Sequence, residues 1–310
     1  MSLAGEGACE TTNSVASASG MPHRHSAPPV GPPSVKLEHV PIFESGVEVA
    51  LEQATREQIA HQLWVAEQTA TAIDRPSDAH PAMDVVDAYE IQLINIGKRR
   101  AAGARIAGHK VGLASEAMQK MMGVDEPDYG HLLDEMQYFE NTPIDTATLC
   151  FPRVEVEVGF ILGADLPGEG CTNDDVINAV EWVVPSIELI DSRITNWQIT
   201  LCDTIADNAS SCGWILGEQR VAISEIDTGD IEAILHRNGE VVAKGNSAAV
   251  LGHPLNAVSW LARKVESFGV RLRKGDLILP GTATRAIDIA AGDHFVAEFA
   301  GLGSVSLDFS

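Results

Sequence analysis

The chain has 310 residues, 45% hydrophobic and only 5% aromatic, and its 21 basic against 44 acidic residues give a net charge of −23. This composition predicts a globular protein with a mainly aliphatic core. The negative charge argues against binding to nucleic acid or to an anionic membrane. No long apolar run or leader pattern is present, so we expect a cytoplasmic protein. The five cysteines form no CxxC pair, which predicts free thiols.

Two regions differ in composition. Residues 1–45 are rich in Gly, Ser, Ala and Pro, which predicts a disordered tail. His23 and His25 in this tail are not expected to bind a metal. Residues 46–310 are expected to form a single domain, with a helical part over about 46–105 and a strand-rich body over about 106–310.

The spacing of apolar residues predicts one helix from Gly46 to about Asp74 and a second from Asp84 to about Arg100. From Lys110 onward the segments are mostly short, β-branched and bounded by Gly, Pro or Asp, as in strands. Asn238-Gly239 is typical of a type I′ hairpin turn.

Towards the C terminus, apolar residues over 255–268 predict another amphipathic helix. Two final strands, 295–299 and 305–309, flank Gly301-Leu302-Gly303, which we interpret as a tight turn rather than a phosphate loop. Walker, Rossmann and nucleophile-elbow patterns are absent from the sequence. The expected class is α+β, with a helical N-terminal part packed on a larger strand-rich body.

The most informative segment runs from Phe151 to Leu162. Strict alternation places Glu155 and Glu157 on one face of a strand, about 7 Å apart, where both can reach one ion. A solvated acidic face would have the same pattern, and these residues taken alone favour that interpretation.

Glu188 lies in a mostly apolar strand, where a buried carboxylate needs a partner. That partner could be Arg193 or Arg153. If Glu188 instead faces Glu155 and Glu157, three carboxylates require a cation. Oxygen ligands without His or Cys suit Mg²⁺ or Mn²⁺. The natural substrate of such an ion is a 2-oxo or 2-hydroxy acid, which chelates through two adjacent oxygens.

Three further segments combine small and polar residues. Lys110 lies in a glycine-flanked apolar strand and could hold a substrate carboxylate or enolate, although an edge charge has the same pattern. Asp128 closes an acidic turn and could move a proton, or simply make the turn. The segment 207–211, Asp-Asn-Ala-Ser-Ser, fits either a polar strand start or a pocket wall.

Together these segments resemble the 2-hydroxypenta-2,4-dienoate hydratases, also called 2-keto-4-pentenoate hydratases, of the fumarylacetoacetate hydrolase superfamily. The resemblance covers about residues 48–309 and is carried, in order, by Lys110-Val111-Gly112-Leu113, the turn 123–130, Glu155 and Glu157, Glu188, the segment 207–211, and Gly252-His253-Pro254-Leu255-Asn256. The segment 279–285 looks closer to actinobacterial enzymes of steroid and aromatic-ring breakdown, so the substrate is a pentadienoate or a methyl-extended hexadienoate.

The resemblance implies a mixed β-sheet roll with flanking helices, homo-oligomeric assembly and a downstream aldolase as a partner. It implies Glu155, Glu157 and Glu188 as ligands of Mg²⁺ or Mn²⁺, with Lys110 as the pocket lysine and Asp128 as the acid/base group. Ser210 or Ser211 would line the substrate tail.

The implied reaction is hydration of a 2-hydroxy-2,4-dienoate to a 4-hydroxy-2-oxo acid, in catabolism of aromatics or steroids. A related 4-oxalocrotonate decarboxylase would use the same metal and enolate. A third possibility is an acylpyruvate-type C–C hydrolase, which would need a His-Glu pair that we do not find beside His109. A non-catalytic metal-binding homologue is disfavoured because Lys110, Asp128 and the ligand set are all intact.

Overall fold

The computed structural model describes residues 51–310, apart from the side chain of Met121. The predicted tail, His23 and His25 lie outside these residues, as does the start of the first predicted helix. The helices and strands have these bounds, in chain order: α1 Gln53–Thr69, α2 Pro76–Ala79, α3 Val85–Ala101, β1 Ile106–Gly112, α4 Glu116–Met122, β2 Asp128–Leu133, β3 Pro152–Leu162, α5 Asn173–Ala179, β4 Val180–Asp191, α6 Leu201–Ala206, β5 Ser211–Leu216, β6 Glu232–Arg237, β7 Glu240–Asn246, α7 Pro254–Glu266, β8 Leu277–Leu279, β9 Ile287–Asp288, β10 His294–Phe299 and β11 Gly303–Asp308.

The two N-terminal helices differ in how well the sequence predicts their bounds. α3 matches its prediction because Asp84 caps it, accepting from the backbone N–H of Asp87 while the Asp87 side chain accepts from that of Asp84. The prediction that the first helix reaches about Asp74 is wrong. α1 ends at Thr69 because Ala70 is left-handed and its N–H turns back to the helix carbonyls.

The strands form two sheets. The larger has the order β2-β1-β8-β3-β4-β5, with β9 paired to β3, and the smaller has the order β11-β10-β6-β7. β1 and β8 are parallel while most other pairs are antiparallel, so the larger sheet is mixed. The hairpin at Asn238-Gly239 and the turn at 301–303 form as predicted, with positive φ at both hairpin residues.

The larger sheet curls until its two edge strands meet. The Trp214 indole N–H on β5 donates to the Leu133 carbonyl of β2 at 3.2 Å, and the Tyr138 N–H donates to the Trp214 carbonyl at 2.9 Å. This confirms the predicted mixed-sheet roll with flanking helices and a helical N-terminal part. In this arrangement β3, β4, β1 and β2 bring together residues far apart in the chain.

Among the described residues, no helix is both long and apolar enough to span a membrane. The core is mainly aliphatic, as expected, and its few large aromatic members include Tyr89, Tyr129, Phe160 and Phe295. Cys150, Cys171, Cys202 and Cys212 are free thiols, while Cys9 lies outside the described residues.

Candidate active site

Three glutamates meet on one face of β3 and β4. Glu155 and Glu157 lie two residues apart on β3, and Glu188 on β4 is the direct cross-strand partner of Glu155. One oxygen from each carboxylate lies within 4.8 Å of the others. All three side chains are buried, so the solvated acidic face that the sequence left open is not what forms.

The alternative partners considered for Glu188 are engaged elsewhere. Arg193 pairs with Asp207, at 2.6 Å between Nε and Oδ1. Arg153 pairs with Asp288 at 2.6 Å and lies over the Trp197 ring. The interpretation of Glu188 as an arginine ion pair is therefore wrong. Its basic neighbour is Lys110, whose Nζ lies 3.5 Å from Glu188 Oε2.

Burial and mutual repulsion disfavour the negative charges of the three glutamates, and a bound cation would offset both effects. Burial raises the pKa of Glu155 and Glu157, and the carboxylate of Glu188 adds to the effect on Glu157. Burial also raises the pKa of Glu188, an effect that the charge of Lys110 opposes. Within residues 51–310, Lys110 is the single basic side chain in an ion pair with any of the three.

Among residues 51–310, several oxygens of this cluster have no hydrogen-bond partner. They are Glu157 Oε1 and both oxygens of Glu188, all buried. Buried carboxylate oxygens without partners are costly unless a cation takes them. A hard divalent cation with oxygen ligands fits this donor set, and the cluster contains no His or Cys that would favour zinc.

Lys110 lies on β1 and is 3% exposed. Its ammonium group donates to the Ala209 carbonyl at 3.0 Å. Burial disfavours the charged form, but Glu188, Glu155 and Asp128 together outweigh it and raise the pKa of Lys110. The lysine therefore stays protonated and provides a fixed positive charge at the edge of the glutamate cluster.

Asp128, the first residue of β2, is the cross-strand partner of Gly112 and is 1% exposed. Burial raises its pKa, an effect that Lys110 opposes. Its Oδ1 has no hydrogen-bond partner among the described residues. A Cβ at Gly112 would lie 2.1 Å from this oxygen, so only glycine leaves room for the carboxyl group there.

Lys110, Asp128 and Glu155 line one cavity of about 200 Å³. Its acidic and basic lining groups are these three and Arg153, and the remaining wall is mostly apolar. That wall includes Leu113, Met118, Met122, Ile190, Trp197, Ile199 and Ala286. The cavity thus has a charged end at Glu155, Lys110 and Asp128 and an apolar end of the kind that takes a small carboxylic acid with a hydrocarbon tail.

The two serines of the segment 207–211 occupy different places. Ser210 lines the cavity beside Thr204, and their hydroxyl oxygens lie 3.3 Å apart. Ser211 is not part of the cavity lining and lies next to Glu188 instead. The resemblance implies that one of these two serines lines the substrate tail, which stays a prediction, and of the two Ser210 is the one that lines the cavity.

The loop after β8 contributes two residues to the site that are not among the predicted site residues. The Gly281 N–H donates to Glu157 Oε2 at 2.8 Å, and Gly281 and Thr282 both line the cavity. Gly281 has a φ of 122°, and a Cβ there would lie 2.3 Å from that of Ala114. The Pro-Gly at positions 280–281 is a turn signal, but it does not indicate contact with a glutamate 124 residues earlier.

Comparisons with known proteins agree with this geometry. Residues 110–309 match the family described as fumarylacetoacetate (FAA) hydrolase C-terminal. The chain is 43% identical to a 2-keto-4-pentenoate hydratase of Paraburkholderia xenovorans, covering 82% of this chain and 94% of that protein. It is 38% identical to a 2-hydroxyhexa-2,4-dienoate hydratase of Comamonas testosteroni, covering 80% and 95%.

Among solved structures, the chain resembles the 4-oxalocrotonate decarboxylase from Pseudomonas putida G7 complexed with magnesium and adipate. The TM-score is 0.82 at 36% identity, covering 84% of this chain and all of that one. The chain is therefore similar both to hydratases and to a decarboxylase. The residues of the site, rather than the fold, must decide between these two activities.

Proposed function

The chain belongs to the fumarylacetoacetate hydrolase family, and on this premise we propose that it is a metal-dependent hydro-lyase adding water to a 2-hydroxy-2,4-dienoate. The product is a 4-hydroxy-2-oxo acid, an intermediate type in the breakdown of aromatic compounds. The observation that carries the proposal is the convergence of three buried glutamates beside one cavity, which Glu155, Lys110 and Asp128 line.

Glu155, Glu157 and Glu188 are the proposed ligands of the metal. Mg²⁺ or Mn²⁺ is the proposed ion because all the ligand atoms are carboxylate oxygens. When bound, such an ion acts as a Lewis acid that withdraws electron density from the substrate's 2-oxygen. The Gly281 N–H holds one oxygen of Glu157 and thereby fixes the direction of that carboxylate.

Lys110 is the proposed electrostatic partner of the substrate oxyanion. Its ammonium group is buried and held by the Ala209 carbonyl and Glu188, so it need not reorganise as negative charge develops on the 2-oxygen. Ketonisation of the dienol, with protonation at C5, then leaves an α,β-unsaturated ketone whose C4 is electrophilic.

Asp128 is the proposed proton carrier. The raised pKa of its buried carboxyl suits a group that both gives and takes a proton. In the first half of the reaction the substrate's 2-hydroxyl releases its proton and Asp128 delivers a proton to C5. In the second half Asp128 accepts a proton from the water whose hydroxyl adds at C4, and C3 takes up a proton in place of the one that the 2-hydroxyl released. The overall change adds one water molecule and leaves Asp128 in its initial state.

The apolar end of the cavity is the proposed place for the substrate tail. Ile190, Trp197 and Ile199 offer no charge there, and the Arg153 guanidinium near them is already paired with Asp288. This favours a monocarboxylate with a short hydrocarbon tail, either the pentadienoate or the methyl-extended hexadienoate. Ser210 and Thr204 supply hydroxyl groups along the same wall.

A 4-oxalocrotonate-type decarboxylase is the second candidate, favoured by the similarity to the solved decarboxylase. It would use the same glutamates and lysine to stabilise an enolate, but its substrate carries a second carboxylate. The C–C hydrolase is weaker because His109 lies on the other face of β1, packed against His131 and absent from the cavity lining. The homo-oligomeric assembly, the aldolase partner and the cytoplasmic location stay predictions.

The test is incubation with freshly generated 2-hydroxypenta-2,4-dienoate, with Mn²⁺ and with EDTA. Loss of the dienol absorbance and the product mass are followed together. We expect a metal-dependent water adduct, and the hexadienoate run in parallel gives the preferred tail length. If the dienol decays only at the uncatalysed rate while 4-oxalocrotonate releases carbon dioxide, the decarboxylase is correct.

A further inference from the structure

The carbonyl that holds Lys110 belongs to a strained turn. Asn208, Ala209 and Ser210 have successive φ values of 56°, 51° and 55°, all in the left-handed region. Residues with side chains adopt this region at a cost, and three in a row persist only where the surroundings hold them. The conformation of the turn therefore depends on the hydrogen bonds that its neighbours make with it.

Arg193 forms hydrogen bonds to the residues on both sides of the turn. Its guanidinium donates to the carbonyl of Asp207 at 2.5 Å and to that of Ser211 at 3.1 Å. It also pairs with the Asp207 carboxylate. Arg193 is 4% exposed, so these bonds are shielded from water. They anchor the turn to the end of β4 but do not connect it to β1 or β2, which carry Lys110 and Asp128.

Asn208 makes that connection. Its side-chain Oδ1 accepts from the His131 backbone N–H at 2.8 Å, and its Nδ2 donates to the His131 carbonyl at 2.9 Å. His131 lies on β2, the edge strand of the larger sheet, three residues after Asp128. The amide thus pairs with this strand edge much as a neighbouring strand would.

The approach of the turn to β2 is close. A Cβ at Gly130 would lie 2.4 Å from the Asn208 carbonyl oxygen, so a larger residue there would push the turn away. On the other side, Ala209 presents its carbonyl to Lys110 at 3.0 Å. One residue therefore ties together the strand of Asp128 and the turn that holds Lys110.

We propose that Asn208 is a positioning residue that fixes Lys110 relative to Asp128 through its paired amide bonds to β2. This inference rests on the proposed roles of Lys110 and Asp128 in the hydratase. Asparagine suits the position because it tolerates left-handed backbone and offers both a donor and an acceptor. Alanine keeps the turn's size but provides neither bond.

The first test compares Asn208→Ala with Asn95→Ala. Asn95 donates to the Ala60 carbonyl between α3 and α1, away from the catalytic cavity, so it controls for loss of a side-chain to backbone bond. We expect Asn208→Ala to lower kcat on the order of 10²-fold, with metal affinity and KM close to wild type. Asn95→Ala should leave kcat unchanged. Equal kcat values in the two variants overturn the inference.

A double variant separates positioning from general damage. If Asn208 acts through Lys110, the kcat loss of Asn208→Ala disappears in a Lys110→Met background, because the group being positioned is gone. If the two losses multiply, Asn208 does not act through Lys110 and the proposal is wrong.

A readout independent of turnover separates this inference from the proposed function. Amine labelling at Lys110, followed by peptide mass spectrometry, reports how firmly the lysine is held. We expect faster labelling in Asn208→Ala than in Asn95→Ala and wild type. Equal labelling in all three overturns the positioning role whatever the activity. Absence of hydration by the wild type, with faster labelling in Asn208→Ala, overturns the hydratase proposal alone.

Discussion

Replacing Asp128 with asparagine tests the proposed proton carrier directly. Asparagine has nearly the same size, so it fits the space that Gly112 leaves beside Oδ1. Apart from Glu155, which belongs to the glutamate cluster, Asp128 is the only carboxyl group lining the cavity among the described residues. The substitution therefore removes proton transfer while leaving the proposed metal ligands in place.

The expected loss is large and confined to the chemical step. Positioned acid–base groups contribute about 10²–10⁴-fold to rate, which corresponds to about 3–5 kcal/mol of activation free energy. The free energy of unfolding should change by no more than about 1 kcal/mol, because burial already penalises the charged form of Asp128. Metal affinity should stay at the wild-type value.

The assay measures kcat and KM from the dienol absorbance at saturating Mn²⁺, metal affinity by calorimetry, and stability by denaturant unfolding. Asp134→Asn is the matched control, since Asp134 pairs with the exposed Arg105 and does not line the cavity. It should behave as wild type. A normal kcat in Asp128→Asn, or a kcat loss explained by lost metal binding, would refute the acid–base assignment.

Three other predictions concern metal binding and stability. Mn²⁺ at 100 times its Kd should raise the free energy of unfolding by about 2.7 kcal/mol. In a thermal melt, Glu157→Gln should abolish most of this stabilisation. A full stabilisation of the variant by Mn²⁺ would exclude Glu157 as a ligand. Gly281→Ala should destabilise the fold by about 1–3 kcal/mol and weaken metal binding. Its control is Gly292→Ala, which is also at positive φ but in open space and should leave metal binding intact. Equal metal affinities in the two variants would contradict the role of Gly281. Burial lowers the pKa of His131 to about 4, so as the pH falls below 6.5 this histidine is protonated first in the unfolded state. Its contribution should lower the free energy of unfolding by about 2 kcal/mol between pH 7.5 and 5. Unfolding curves of His131→Asn should lack this contribution.

Local sequence patterns determined several helices, strands and turns of this protein. The alternation in β3 places Glu155 and Glu157 on one face whatever the rest of the chain does, since the side-chain period of a strand is two. In the same way, the Asp84 cap fixes the start of α3 and Asn238-Gly239 fixes a hairpin. These features depend on residues a few positions apart, so the sequence alone predicts them.

The site itself required the tertiary structure. Glu188 meets Glu155 only through the register of β3 with β4, and Lys110 reaches both only because β8 joins β1 to β3. The curl that brings β5 to β2 then places the left-handed turn at 208–210 against Lys110. Such contacts join residues about 30 to 100 positions apart and depend on strand order and register, which no local periodicity encodes. The sequence thus determined which chemical groups are available, and the pairing of strands decided which of them share a cavity.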